Sequence, residues 1–200
     1  MDKRSKPIIE IIKANLFLAS GVFFWAMGFP AAEVLLEILE PLPVITVRLV
    51  LASIILLLVW LIVEGLNSVL QAPWIKAISI GIFGLGFSGY FFLKAQALTD
   101  PVTVAVAAAS LPAFAAILEV ALDNRKIKLT FVSGVILAIL GGIVAIGFRE
   151  TSDGSSNFLG GFLVCLASFS YAWGTRASVK NLPELSALAR TTTTVIGAAL

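Results

Sequence analysis

Very few side chains in this 200-residue sequence combine a charge with a place inside a long apolar run, and those few define the chemistry open to it. Lys94 lies within the run 75–98, about one and a half helical turns before Asp100-Pro101. A cation at membrane depth is costly and marks a functional site by default, although its long stem can also snorkel to the headgroups. Facing a cavity, Lys94 would hold a substrate carboxylate. Glu119 follows Pro112 by seven residues. A carboxylate there can carry a coupling proton, or it can pair with Arg125 or Lys126 at the membrane interface. Arg48 has Glu33 and Glu37 on the preceding segment as partners, giving an ion pair that is a gate if it breaks in one conformation and a tie if it does not. Arg190 is the matching arginine further along the chain.

Aromatic and helix-breaking residues surround these charges. Trp25, Tyr90, Tyr171 and Trp173 fall in mid-run rather than at the ends, where interfacial aromatics gather. They either line a central site or pack. Pro30 and Pro112 are expected to interrupt the first and fourth runs, each releasing a backbone carbonyl that a cavity can use. Thr191–Thr194 can offer hydroxyls to a pathway or bond their own backbone. The stretch GLGFSG at 84–89 matches a dinucleotide-binding pattern literally, but the required acidic residue about 20 positions on is missing. Gly81, Gly84, Ser88 and Gly89 read better as a small-residue face for close helix contact. There is no histidine, and Cys165 is the single cysteine. A Ser-His-Asp set, a histidine-held metal or haem and an internal disulfide are thereby excluded. No cofactor, metal, catalytic set or nucleic-acid partner is expected, and Cys165 reads as packing.

The elements that carry these residues are apolar. Apolar residues make up 59% of the chain and charged ones 13%, against about a quarter charged in soluble domains. Mean hydropathy is +1.02. The excess falls into blocks at 16–32, 44–63, 75–98, 102–122, 129–148 and 158–177, with a seventh from about 185. Several approach the roughly 20 residues that cross a bilayer core. None shows the polar stripe that a helix of a water-soluble bundle requires. The fold class is an all-α, polytopic helical membrane protein whose main partner is the bilayer. The basic N-terminus ahead of the first block is read as the flank of an uncleaved first helix rather than as a signal peptide.

With the N-terminus in the cytoplasm, Lys3, Arg4, Lys6, Lys13, Lys76, Arg125, Lys126, Lys128, Arg176 and Lys180 fall inside, and Arg48, Lys94 and Arg149 outside. That bias supports an N-in orientation, with Glu33, Glu37 and Glu40 in an outward turn. The chain also repeats itself. Trp25-Ala-Met-Gly28 is followed by Pro41 and Arg48; Tyr171-Ala-Trp-Gly174 is followed by Pro183 and Arg190. Five spans per copy force the second copy to enter from the opposite face, which is the inverted-repeat plan of many secondary transporters. The expected organisation is a first five-helix repeat over 1–150 and the start of a second, inverted one over 151–200. Trp25 and Tyr171 would then be equivalents lining the central site from opposite halves.

These motifs, in their order, resemble the EamA-type branch of the drug/metabolite transporter superfamily. The resemblance rests on the Trp-Ala-x-Gly of the first span, PLPVITVRLVLASIILLL with its arginine, KAQALTDPVTVAVAAASLPAFAAILEVAL with its mid-helix Leu-Pro, and DNRKIKLTFVSGVILAILGGIVAI. It covers essentially the whole chain. It implies ten transmembrane helices in two inverted halves and transport, most commonly export, of amino acids or related metabolites across the plasma membrane. The DNRK turn departs from the Gly-Glu-Arg of the family. Seven of ten helices would be present, the chain reading as a piece of a protein of roughly 290–300 residues by repeat symmetry. Two other functions are weighed: a membrane enzyme acting on lipid, which lacks a converging catalytic set, and a lipid scramblase or assembly factor, which calls for a lipid-facing groove.

Overall fold

The computed structural model describes residues 5–99, 101–109, 111–123, 129–147 and 154–200. Asp100, Arg125, Lys126, Lys128 and Arg149 lie outside the described residues, and so do most of the turns at 123–128 and 150–157.

Among the described residues, the apolar blocks fall on helix. The order is α1 (Ser5–Leu36), α2 (Pro41–Leu70), α3 (Trp74–Ile80), a π-helical turn (Gly81–Gly86), α4 (Phe87–Leu98), α5 (Pro101–Ala108), α6 (Leu111–Asp123), α7 (Leu129–Gly147), α8 (Gly154–Asn181) and α9 (Ala187–Ala199), with no strand among the described residues. Four stretches are long and apolar enough to span a bilayer: Ile9–Leu36, Pro41–Leu70, Trp74–Leu98 and Thr103–Asp123. Helix is the form that apolar surroundings require, because it satisfies each backbone N–H and C=O within its own segment.

Local chemistry sets the ends. Glu40 is extended at ψ 156° ahead of Pro41, the first residue of α2, because a residue before proline avoids the helical region and proline suits the first helical turn. Ser186 caps α9, its hydroxyl accepting from the Ala189 N–H at 3.0 Å. The span from 103 to 123 is broken in its middle. The Ala109 N–H closes α5 by bonding the Ala105 and Val106 carbonyls, and α6 restarts at Leu111 with Pro112 in its first turn. Pro112 therefore stands in the opening turn of α6, beyond the end of α5.

Pro30 behaves differently from its expected part as a break: α1 runs on through it to Leu36. A proline removes one backbone bond, and the turn that follows is rebuilt at once, with the Glu37 N–H on the Glu33 carbonyl at 3.2 Å. Glu33 is accordingly helical, and only Glu37 and Glu40 lie in the turn.

Glycines fix how closely the helices approach. A Cβ on Gly84 would stand 2.5 Å from the Gly174 Cα, and one on Gly197 would stand 2.6 Å from the Ile78 Cα. Only glycine permits such backbone contact. Gly84 meets Gly174 while Gly160 meets Thr99, so α8 runs antiparallel to the α3–α4 rod. Ser170 of α8 donates its hydroxyl to the Phe83 and Gly84 carbonyls inside the π-helical turn. The GLGFSG stretch is thus a packing face, as its glycines suggest.

Candidate functional site

The α3–α4 rod presents an aromatic strip that ends in a cation. Phe83 and Phe87 sit edge to face at 5.4 Å, Phe87 and Phe91 at 6.1 Å, and Tyr90 and Phe91 at 5.8 Å. The Lys94 ammonium lies 5.6 Å from the centre of the Tyr90 ring, within cation–π range. Helical spacing explains the pairing, since Tyr90 and Lys94 are one turn apart on one face. Phe83, Phe87 and Lys94 are exposed, whereas Leu93, Ala95 and Gln96 are buried on the other side of the same helix. The buried side is held to α1 by Gln96, whose amide donates to the Phe29 carbonyl at 2.7 Å. Lys94 is thereby set on a rigid rod with its charge turned away from the packed side.

The other candidates are spread over two ends of the bundle. Arg48 lies against α1: a Cβ on Gly28 would meet its guanidinium at 3.4 Å. The ion pair expected with Glu33 or Glu37 is not formed among the described residues. The guanidinium reaches instead over the space that Gly28 leaves open. Trp25 packs edge-on against Phe29 at 5.0 Å and is half-exposed, as is Tyr171. Trp173 packs on the cluster of Ala77, Ile80, Ala177 and Leu182. None of the described hydrogen bonds, ion pairs or ring contacts joins Trp25, Tyr171 or Trp173 to Lys94. The threonines take the backbone option: Thr192, Thr193 and Thr194 donate to the Leu188, Ala189 and Arg190 carbonyls at 2.8–2.9 Å. Arg190 sits in the first turn of α9. Glu119 is close enough to Arg176 to interact with its charge; the partners Arg125 and Lys126 fall outside the described residues.

The helical architecture, the spans of membrane length and the Trp-Ala-x-Gly and Arg48 pair packed together at one helix end meet in one comparison. The sequence matches the EamA-like transporter family over residues 12–147. This chain belongs to that family. The EamA-like transporters are part of the drug/metabolite transporter superfamily, so the chain is an integral membrane protein and a membrane transporter of that type. As such it sits in a lipid bilayer and binds small-molecule substrates. No curated protein and no solved structure matches the chain.

Two polar clusters in this EamA-like chain escaped sequence reasoning. In the first, the Glu64 carboxylate of α2 accepts from the Trp60 indole and the Ser68 hydroxyl, each at 3.1 Å, and from the Ser186 hydroxyl that caps α9. Trp60 is fully buried, and its ring lies 6.0 Å from that of Trp74 at a tilt of 48°. In the second, Asp123 at the end of α6 takes a two-pronged bond from Arg176, Nε to Oδ2 at 2.8 Å and Nη2 to Oδ1 at 2.6 Å, and a further bond from Lys180. Such fork-to-carboxylate pairs are among the stronger and more directional polar contacts. A signal for the first existed, because Trp60, Glu64 and Ser68 recur every fourth residue in the sequence, although the backbone leaves the helix at Gly65 between the last two. The second joins residues 53 and 57 positions apart, which no local pattern can foretell.

Proposed function

We propose that the protein is a secondary transporter that moves small organic solutes, amino acids or related metabolites, outward across the plasma membrane by alternating access. Its N-terminus is cytoplasmic, it performs no catalysis, and residues 1–150 and 151–200 are a five-helix repeat and the start of an inverted second one. Three observations support this reading. The family match ends at 147, near that boundary. Lys76, Arg176 and Lys180 share one end of the bundle with the α2–α3 turn, in keeping with the positive-inside bias. The antiparallel contact of α8 with the α3–α4 rod suits a second unit entering from the opposite face.

The observation that carries the substrate reading is Lys94 over Tyr90 at the end of the aromatic strip. The ammonium supplies a point charge for a carboxylate, and the ring faces supply an apolar wall for the remainder of the solute. Trp25, Tyr171 and Trp173 would complete the pathway wall, Pro112 its helix break, and Glu33, Glu37, Arg48, Glu119 and Arg190 its gating or proton-coupling charges.

Flux tests it. Purified protein in liposomes should move a labelled amino acid saturably, and Lys94→Ala should raise KM for anionic solutes at least tenfold. Lipid flipping without solute flux would turn the reading to a scramblase.

A further inference from the structure

Two polar ties fasten the start of the second repeat to the first, and both lie at the same end of the bundle. Arg176 and Lys180 of α8 hold Asp123 of α6. Ser186, at the cap of α9, holds Glu64 of α2. Between them lies an apolar plug: Ala77 and Ile80 of α3 against Ala177 of α8 and Leu182 of the α8–α9 turn, with Ala77 and Leu182 fully buried. Beside it, Trp60, Ala72 and Ala189 form a second buried cluster reaching from α2 to α9. The middle of α8 is in turn set against the α3–α4 rod at Gly84 and Gly174. A close glycine crossing of that kind is a natural pivot, because small residues let two backbones turn past each other without unpacking large side chains.

We propose that Asp123–Arg176–Lys180 and Glu64–Ser186 are the paired latches of a gate closed at this end, with α8 turning about the Gly84–Gly174 crossing when they part. The proposal rests on the alternating-access reading above, in which the two halves exchange orientation. The latches are arranged as such an exchange demands. Each joins one helix of each half, so neither can persist if the halves separate at this end. Each is built from exposed or half-buried side chains, which water can solvate once they part. A buried charge stripped of its partner would carry a heavy penalty; a charge at the rim does not. The plug beneath them consists of small and aliphatic groups, with no polar bond to break. Asp123, Arg176, Glu64 and Ser186 are therefore positioning residues for the conformational cycle, and they are distinct from the substrate-facing Lys94.

Accessibility labelling tests this on the whole chain in lipid nanodiscs. In a Cys165→Ala background, a reporter cysteine is placed at Ala77 in the plug, and in a separate variant at Thr99, which packs on Gly160 at the far end. With the latches intact, the reporter at 77 should resist a membrane-impermeant maleimide. Glu64→Gln combined with Asp123→Asn should speed its labelling at least tenfold while leaving the reporter at 99 unchanged or slower. Equal acceleration at both positions would mean general loosening and would overturn the gate. So would an unchanged rate at 77. Where the double variant folds poorly, the single variants Glu64→Gln and Asp123→Asn provide the second reading. Each should speed labelling at 77 and not at 99, and an unchanged rate at 77 in both counts against the latch. Because labelling reads protection and not flux, a lost gate would leave the transport reading standing, and absent flux with a working gate would do the reverse.

Discussion

Helices α1 and α8 carry the same aromatic-Ala-x-Gly wording and live in opposite surroundings. In α1, Phe29 and Ala32 are the buried apolar residues, while Phe17, Phe23 and Phe24 stand out, Phe17 at 84% exposure. In α8, Leu163, Val164, Ala167, Ala172 and Ala177 are all buried, and the helix is gripped by α4, α5 and α6. The two glycines follow suit. Gly28 makes room for the end of a flexible side chain, the Arg48 guanidinium, whereas Gly174 makes room for the backbone of Gly84. The same residue at matching positions is therefore a convenience in one helix and a necessity in the other. What separates them is the stiffness of the neighbour.

The sharpest way to break this comparison is to add a methyl group at each glycine. Gly174→Ala should destabilise the purified chain by about 2–3 kcal/mol, near the upper end for overpacking, because neither backbone can yield. The measurement is unfolding in detergent or mixed micelles. A change under ~0.5 kcal/mol would show that α8 is free to back away from the α3–α4 rod. A middle-sized effect is expected at the tie that holds α1. Gln96→Leu removes the bond to the Phe29 carbonyl, and hydrogen bonds between membrane helices are worth roughly 0.6 kcal/mol on average. Amide hydrogen exchange should rise in α1 around residue 29 and stay level in α8. The smallest effect belongs to Gly28→Ala, within about 0.5 kcal/mol, since the guanidinium can swing aside. If Gly28→Ala and Gly174→Ala cost the same, the distinction between the two helices fails.

How much of this could be read from the sequence differs between elements and contacts. Among the described residues the apolar runs lie on helix, because an apolar run of that length has no other way to satisfy its backbone. The helix start at Pro112 was equally legible, since proline suits the first turn of a helix and cannot donate a bond within one. Pro30 has the same local chemistry, yet α1 continues through it. A proline decides one hydrogen bond, and the neighbouring turns decide whether the helix resumes. Lys94 was visible as a lone charge in an apolar run, but its position over Tyr90 came from the rod. Arg48 was assigned a carboxylate partner on grounds of charge, and geometry took it to Gly28 instead. The latches were invisible as pairs. Asp123 and Arg176, like Glu64 and Ser186, read separately as ordinary polar residues at helix ends, and only the packing of α8 and α9 brings them together.

Gly65 stands immediately beside one of those latches, with φ at +80° inside α2 and nothing within 4 Å of where a Cβ would sit. The turn that follows it carries the Ser68 hydroxyl back onto Glu64. The Ser68 contact to that carboxylate therefore depends on a backbone turn at a residue with empty space beside it, while Trp60 and Ser186 reach the carboxylate from other segments. A side chain there would meet no obstacle and would still be disfavoured, by backbone strain of order 1–3 kcal/mol. Position 65 is thus a tuning screw for the bundle end. A change in its angle would move Ser68 and, with it, the Val69 and Ala72 side chains that pack beside Trp60.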